Sequence, residues 1–255
     1  MEILHSRENA IKFFETYVTK NKERLHGKHV YDLSAGTGFI STMFSQAGAV
    51  LHLYDLFPDQ LQFGDVTPQK IDLQKAFPIA DSVADFVICS ETIECLPDHF
   101  HLFKEISRIL KPNGTLLLTS ASPSTLRSRF SQFLMESEHY SFPMPDETNA
   151  FVKWPGTSND YFNKMFISGI LRIRTLAAVN QLKIFQIHKT PYSSTSILLL
   201  IFYPWIYFFS RKNLKRQLKE SPQNASIYKE IFSINTSLVV LLSKHLVIEF
   251  SKHSR

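Results

Sequence analysis

Two periods of hydrophobic and polar positions divide the first half of the chain. Ile11, Phe14, Val18 and Leu25 recur at near-helical spacing, which predicts a helix over about 8–25 with its apolar face on a core. Short apolar runs follow near 28–33, 50–55, 68–72, 84–89 and 115–120, most of them separated by helical patterns. Strands alternating with helices predict a parallel sheet, and right-handed crossovers send the strand-to-helix loops to one sheet edge. Asp98 reads as the N-cap of a helix over 99–111, with Glu105 and Arg108 paired at i,i+3 and Lys111-Pro112-Asn113-Gly114 stopping it before the next strand.

The second half is less regular. Residues 121–165 carry Pro123, Pro143, Pro145 and Pro155 among several aromatics, a composition that suits a loop and cap at the ligand edge. A helical pattern over 160–181 leads to a strand candidate at 182–190, and HLVIEFSK at 245–252 supplies another. Between them lie the apolar run ILLLIFYPWIYFF at 197–209, the basic cluster RKNLKRQLK at 211–219 and a second apolar helix candidate at 231–242.

Composition narrows the class. With 255 residues the chain is long enough for one α/β domain with a substantial core and an insertion. The net charge of +5 is mildly basic, but no long arginine-rich arm and no stacked basic-aromatic groove is evident, so nucleic acid is not expected. Cys89 and Cys95 are too few for a disulfide framework or a metal centre, which predicts a reducing compartment and no metal. The first twenty residues contain acids and lack an apolar stretch long enough for a secretory signal, so a cytoplasmic protein is expected.

The chemistry concentrates in VYDLSAGTG at 30–38. An apolar strand ends in Asp32, and Gly36 and Gly38 let the following turn approach a ligand closely. The next run, VLHLYD, ends in Asp55, about where an acid meets ribose hydroxyls in a nucleotide-binding βαβ unit. The turn lacks GxGxxG spacing and nothing matches GxxxxGK[ST], which disfavours phosphate binding.

With its acid followed by alternating glycines, the segment resembles the class I S-adenosylmethionine-dependent methyltransferases, with Ser34 at the place of the usual first glycine. IDLQKAFPIADSVADFVICSETIECL at 71–96 and FKEISRILKPNGTLLLTS at 103–120 resemble the later motifs of the small-molecule and lipid members, in order and spacing. Cys95 departs from the many relatives that carry histidine after the glutamate, here Glu94. The resemblance is strong over 28–122. It implies a Rossmann-like, doubly wound, mostly parallel seven-stranded α/β sheet with an antiparallel terminal pair and an apolar helical insertion. One domain over 1–255 would comprise an N-terminal helix (1–27), a cofactor-binding core (28–122), a substrate cap (123–181) and an apolar and basic insertion (191–244).

The implied cofactor is S-adenosylmethionine. Its implied site is Asp32, Ser34, Ala35, Gly36 and Gly38 in the turn, Asp55 and Leu56 after the second strand, Asp72 and Leu73 beside the adenine, and Ser90 and Glu91 flanking the methionine portion. Methyl transfer from a sulfonium needs mostly positioning and desolvation, and a base only where the acceptor holds its proton tightly. His139 in the cap, with Asp146 and Glu147 nearby, is the candidate for that base.

Residues 197–209 are shorter than the ~20 that span a bilayer as a helix, and their aromatics beside basic residues suit peripheral contact with a membrane surface through 197–219. An internal helical pair and an oligomer seam are the alternatives for this stretch. The expected function is O- or N-methylation of a small or lipid-linked acceptor. A soluble enzyme acting on a small metabolite and a non-catalytic methyltransferase-like binding module are its rivals.

Overall fold

A computed structural model describes residues 2–62, 66–135, 137, 146–151 and 162–253. In chain order the elements are α1 (Glu2–Lys20), α2 (Lys22–Leu25), β1 (His29–Asp32), α3 (Phe39–Gln46), β2 (Val50–Asp55), β3 (Gln69–Lys70), β4 (Ala84–Ser90), α4 (His99–Ile109), β5 (Leu110–Ser120) and α5 (Leu126–Met135). They continue with α6 (Ile170–Val179), β6 (Leu182–Ile187), α7 (Ser194–Leu198), α8 (Tyr203–Glu220), α9 (Ala225–Thr236), α10 (Leu238–Leu242) and β7 (Leu246–Lys252).

The strands form one sheet in the order β3-β2-β1-β4-β5-β7-β6. All pairs are parallel except those of β7, which runs antiparallel to β5 and β6. This is the doubly wound sheet with an antiparallel terminal pair that the motifs imply. The strand order reverses between β1 and β4, and sheets of this kind bind ligands beyond the strands' carboxyl ends at such a switch point.

Successive side chains on β4 serve opposite faces, as the two-residue period of a strand requires. Phe86 and Ile88 join Phe14, Tyr17, Val18 and Phe44 from α1 and α3. Val87 and Cys89 join Leu102, Phe103, Ile106 and Ile109 from α4. Asp98 caps α4 by accepting the His101 N–H at 2.9 Å, and Arg108 pairs with Glu105 at 2.8 Å. Both central faces being covered explains why β4 and β5 read as continuous apolar runs.

Several boundaries differ from the pattern for local reasons. The first helix breaks at Asn21, whose amide donates to the Tyr17 carbonyl at 2.8 Å and competes with helix continuation. Among the described residues the helix expected over 160–181 begins at Ile170, after Gly169, and before it Phe166 donates its N–H to the Glu94 carbonyl in the loop after β4. Strand β5 starts at Leu110 rather than 115, with Leu110 opposite Ala84 and a register shift before Phe86 pairs with Thr115. Pro204 lies inside the apolar run 197–209. It falls in the first turn of α8, where a missing N–H costs nothing, so helix continues from α7 through a short 3-10 turn into α8.

Helices α8 and α9 pair antiparallel between β6 and β7 in sequence. Tyr203 donates to the Thr236 carbonyl at 3.3 Å, the Tyr207 and Phe232 rings lie 5.5 Å apart, and Asn235 donates to Ser210 Oγ at 2.7 Å.

Candidate active site

The turn after β1 is tied together by the two acids that end β1 and β2. Asp32 is buried and accepts the Ser34 N–H at 3.1 Å and the Ser41 hydroxyl at 2.5 Å. Burial pushes its pKa up to about 6, against the pull of those two donors. Asp55 accepts the Gly36 N–H at 2.8 Å on one oxygen and the Phe57 N–H at 2.8 Å on the other. Burial raises its pKa as well, in spite of these bonds. Ala35 donates its N–H to the Tyr54 carbonyl at 3.1 Å, so the turn is bonded to β2 by backbone and by side chain.

Gly36 and Gly38 hold φ of 52° and 82°, a left-handed conformation that side-chain-bearing residues rarely adopt. A Cβ at Gly36 would meet only the Ser34 carbonyl, at 3.9 Å, so the turn faces open space. Gly38 precedes the first residue of α3, whose backbone N–H groups point toward the turn.

Ser34 is bound across the strand ends: its hydroxyl accepts the Ser90 N–H at 2.9 Å and joins the turn after β1 to the end of β4. Ser90 Oγ lies 2.8 Å from Thr119 Oγ1 on β5. Asp72, after β3, accepts the Gln74 N–H at 3.0 Å and pairs with Lys75 at 3.2 Å. The Leu73 side chain is buried in the core, so what it can offer a ligand is backbone. Leu56 is half-buried beside Asp55.

Beyond Ser90 the chain builds a charged cluster. Glu91 sits at φ 54°, and its carboxylate meets His245 Nε2 at 2.5 Å, Lys164 Nζ at 3.2 Å and the Thr119 hydroxyl at 3.1 Å. The wholly buried Glu94 accepts the Ser120 hydroxyl at 2.9 Å and meets Lys164 Nζ at 2.9 Å. Burial would raise the Glu91 pKa, but His245 and Lys164 outweigh it and hold that carboxyl below the usual range. Glu94 is raised, by burial first and by the neighbouring Glu91 second. Lys164 is raised: burial lowers its pKa, and the two carboxylates overcome that.

The fold brings this cluster to the ligand edge. Strand β7 is antiparallel to β5 with Leu246 opposite Ser120, so His245, one residue earlier, stands where β5 ends. Glu91 follows the end of β4, and Lys164 lies in the segment that Phe166 bonds to the loop after β4.

His245 and Lys164 are absent from the sequence reading. Lys164 falls in a segment without periodicity. His245 could have been found by pairing 245–252 antiparallel with 115–120, which places it at the strand ends. The base candidate His139 lies outside the described residues; Asp146 and Glu147 lie within them, with Asp146 accepting the Thr148 N–H at 2.9 Å. Among the described residues no cluster of His, Cys, Asp and Glu could hold a metal ion. Cys89 and Cys95 are buried, and burial pushes the Cys89 thiol up and away from reactivity.

The donor set fits S-adenosylmethionine. Each Asp55 oxygen spends one lone pair on a backbone N–H, which leaves the carboxylate capacity to accept from a ribose diol, and the open face of Gly36 admits close approach.

Residues 31–118 match a family model described as a methyltransferase domain. The chain is 25% identical over 160 residues to the ubiquinone biosynthesis O-methyltransferase of Haemophilus ducreyi, an alignment that covers 57% of this chain and 66% of that protein. It is 29% identical over 108 residues to the biotin biosynthesis bifunctional protein BioHC of Cellvibrio japonicus, covering 40% of this chain and 22% of that one. The chain therefore spans less than two thirds of the length of these curated relatives. Among solved structures it is similar in fold to a SAM-dependent methyltransferase from Methanosarcina mazei, with TM-score 0.52, 14% identity, and coverage of 90% of this chain and 94% of that one. An S-adenosylmethionine-dependent methyltransferase from Mesorhizobium loti gives TM-score 0.50 at 12% identity, covering 89% and 92%. Residues 31–118 thus match a methyltransferase domain, and the sheet order and the acid-glycine turn at the strand ends agree with that match.

Proposed function

We propose that the chain methylates a hydroxyl group on a small, apolar acceptor, and that the Glu91–His245–Lys164–Glu94 cluster takes up the hydroxyl proton. The observation that carries this reading is the cluster's place at the ends of β4 and β5, beside the turn to which Ser34 and Ser90 connect it. S-adenosylmethionine, when bound, supplies an electrophilic sulfonium methyl that needs no further activation.

The chain's residues do the rest. Asp55 and the glycine turn orient the ligand. Glu91 and Lys164 are the partly exposed members of the cluster and face the acceptor side, while Glu94 and His245 are buried behind them. Lys164 bridges Glu91 and Glu94, and burial raises the Glu94 pKa, so Glu94 is the member of the cluster best fitted to take up a proton. A buried carboxylate whose pKa is raised favours a proton arriving from an acceptor hydroxyl as its oxygen forms the new bond to carbon. The name of the Haemophilus ducreyi relative, an O-methyltransferase of ubiquinone biosynthesis, supports an oxygen acceptor.

Labelled methyl transfer from S-adenosylmethionine to catechol-type and amine acceptors of matched size tests this. Product on the catechol oxygen supports the reading. Transfer to amines alone contradicts it, and retention of the folded protein's cofactor binding without any transfer favours a binding module.

A further inference from the structure

We propose that the face formed by the C-terminal end of α5 and the outer side of α7–α8 docks on the surface of an anionic bilayer. The helical run from Ser194 to Glu220 has two apolar sides. Leu199, Leu200, Tyr203 and Ile206 pack on Leu126, Leu241 and Leu242, so the core side is already used. Leu198, Ile201, Phe202, Trp205, Phe208 and Phe209 recur at three- and four-residue spacing on the other side and are 46–79% exposed. Phe130 of α5 stacks on Phe202 at 6.2 Å, and one turn further on Phe133 is 83% exposed with Leu134 and Met135 beside it. Two elements thus join in one apolar surface, of a kind that soluble monomers rarely present without a partner.

Charge selects the partner. Lys212, Arg216 and Lys219 continue the Trp205 stripe at i+7, i+11 and i+14, so the apolar face runs into a basic one on the same side of the helix. Residues 161–219 contain ten Lys or Arg and no Asp or Glu, whereas the whole chain carries +5, so the remainder is net negative by five. Tryptophan and phenylalanine beside lysines and arginines suit the headgroup boundary of an anionic leaflet. Contact is lateral. Pro222–Leu242 has the length and composition to cross a bilayer, but the folded chain breaks at Ser237, with φ −66° and ψ 124°, and Arg174 of α6 pairs with Glu230 of α9. Helix α5, whose C-terminal end forms part of this face, is the first helix after β5.

Flotation tests this with phosphatidylcholine vesicles and with vesicles that also contain phosphatidylglycerol. The protein is expected to float with the anionic vesicles only, and added salt should release it. Lys212→Glu with Arg216→Glu should lower partitioning on the order of 100-fold, and Trp205→Ser with Phe208→Ser and Phe209→Ser at least about tenfold. These positions are exposed, and a native thermal transition certifies each variant. Protein that stays unbound with both vesicles overturns the proposal. So does flotation on neutral vesicles that ignores the charge reversal, or a dimer in solution that the triple variant dissociates, which would make this face an interface between two copies.

Discussion

The hydroxyl of Ser34 accepts the backbone N–H of Ser90 at 2.9 Å, so the residue that stands at the usual first glycine of the motif pins the turn after β1 to the end of β4. Replacing Ser34 with Ala should cost about 1 kcal/mol in denaturant melts and weaken S-adenosylhomocysteine severalfold. Ser34→Gly should cost at least as much, since it adds backbone freedom to the same loss. A Ser34→Gly protein as stable as the parent would show that the bond is idle.

Asp32 should leave a signature in pH. Its folded-state pKa, raised to about 6 by burial, means that its favourable contribution is fully present below the ordinary value of 3.8 and is lost as pH rises through about 6. Compared with Asp32→Asn, the parent protein should therefore gain stability as pH falls from 7 to 4, by about 1–3 kcal/mol. Parallel stability curves for the two proteins would contradict this.

Most of the central sheet was legible because β4 and β5 are buried on both faces and because acids and glycines sit at strand ends. The turn residues around Asp32 and Asp55 were legible for the same reason. The charged cluster was not, because it is made by topology: only the antiparallel pairing of β7 brings His245 to the end of β5, and only the segment before α6 brings Lys164 onto Glu91 and Glu94.

Glu249 anchors the N-terminal helices to the sheet. It is buried on β7 and accepts from Tyr17 at 3.2 Å and Arg24 at 3.0 Å, with His188 at 3.1 Å. Burial would raise its pKa, but His188 and Arg24 bring it below the ordinary value of 4.5, so its stabilisation is present above that pH and is lost as acid protonates it. Glu249→Gln should cost about 1–3 kcal/mol at pH 7, with the gap closing below pH 4.5. Arg24 is partly exposed and can turn to water, which keeps the cost at the lower end. Thermal melts across pH would check both halves.

His245→Gln should lower kcat by about 10- to 100-fold on a hydroxyl acceptor. The dissociation constant of S-adenosylhomocysteine should change little, because His245 meets Glu91 behind the cleft rather than the glycine turn. The rate loss should shrink as pH rises and the acceptor ionises unaided. An unchanged kcat would remove the cluster from the chemistry.

The central claim rests on a cofactor held between the glycine turn and Asp55, and calorimetric titration with S-adenosylhomocysteine tests it most directly. The parent protein should bind in the micromolar range, ATP and NAD should not compete, and Asp55→Ala should weaken binding by about 1–3 kcal/mol. Folded protein that gives no heat with S-adenosylhomocysteine, or an Asp55→Ala variant that binds it unchanged, would contradict the account.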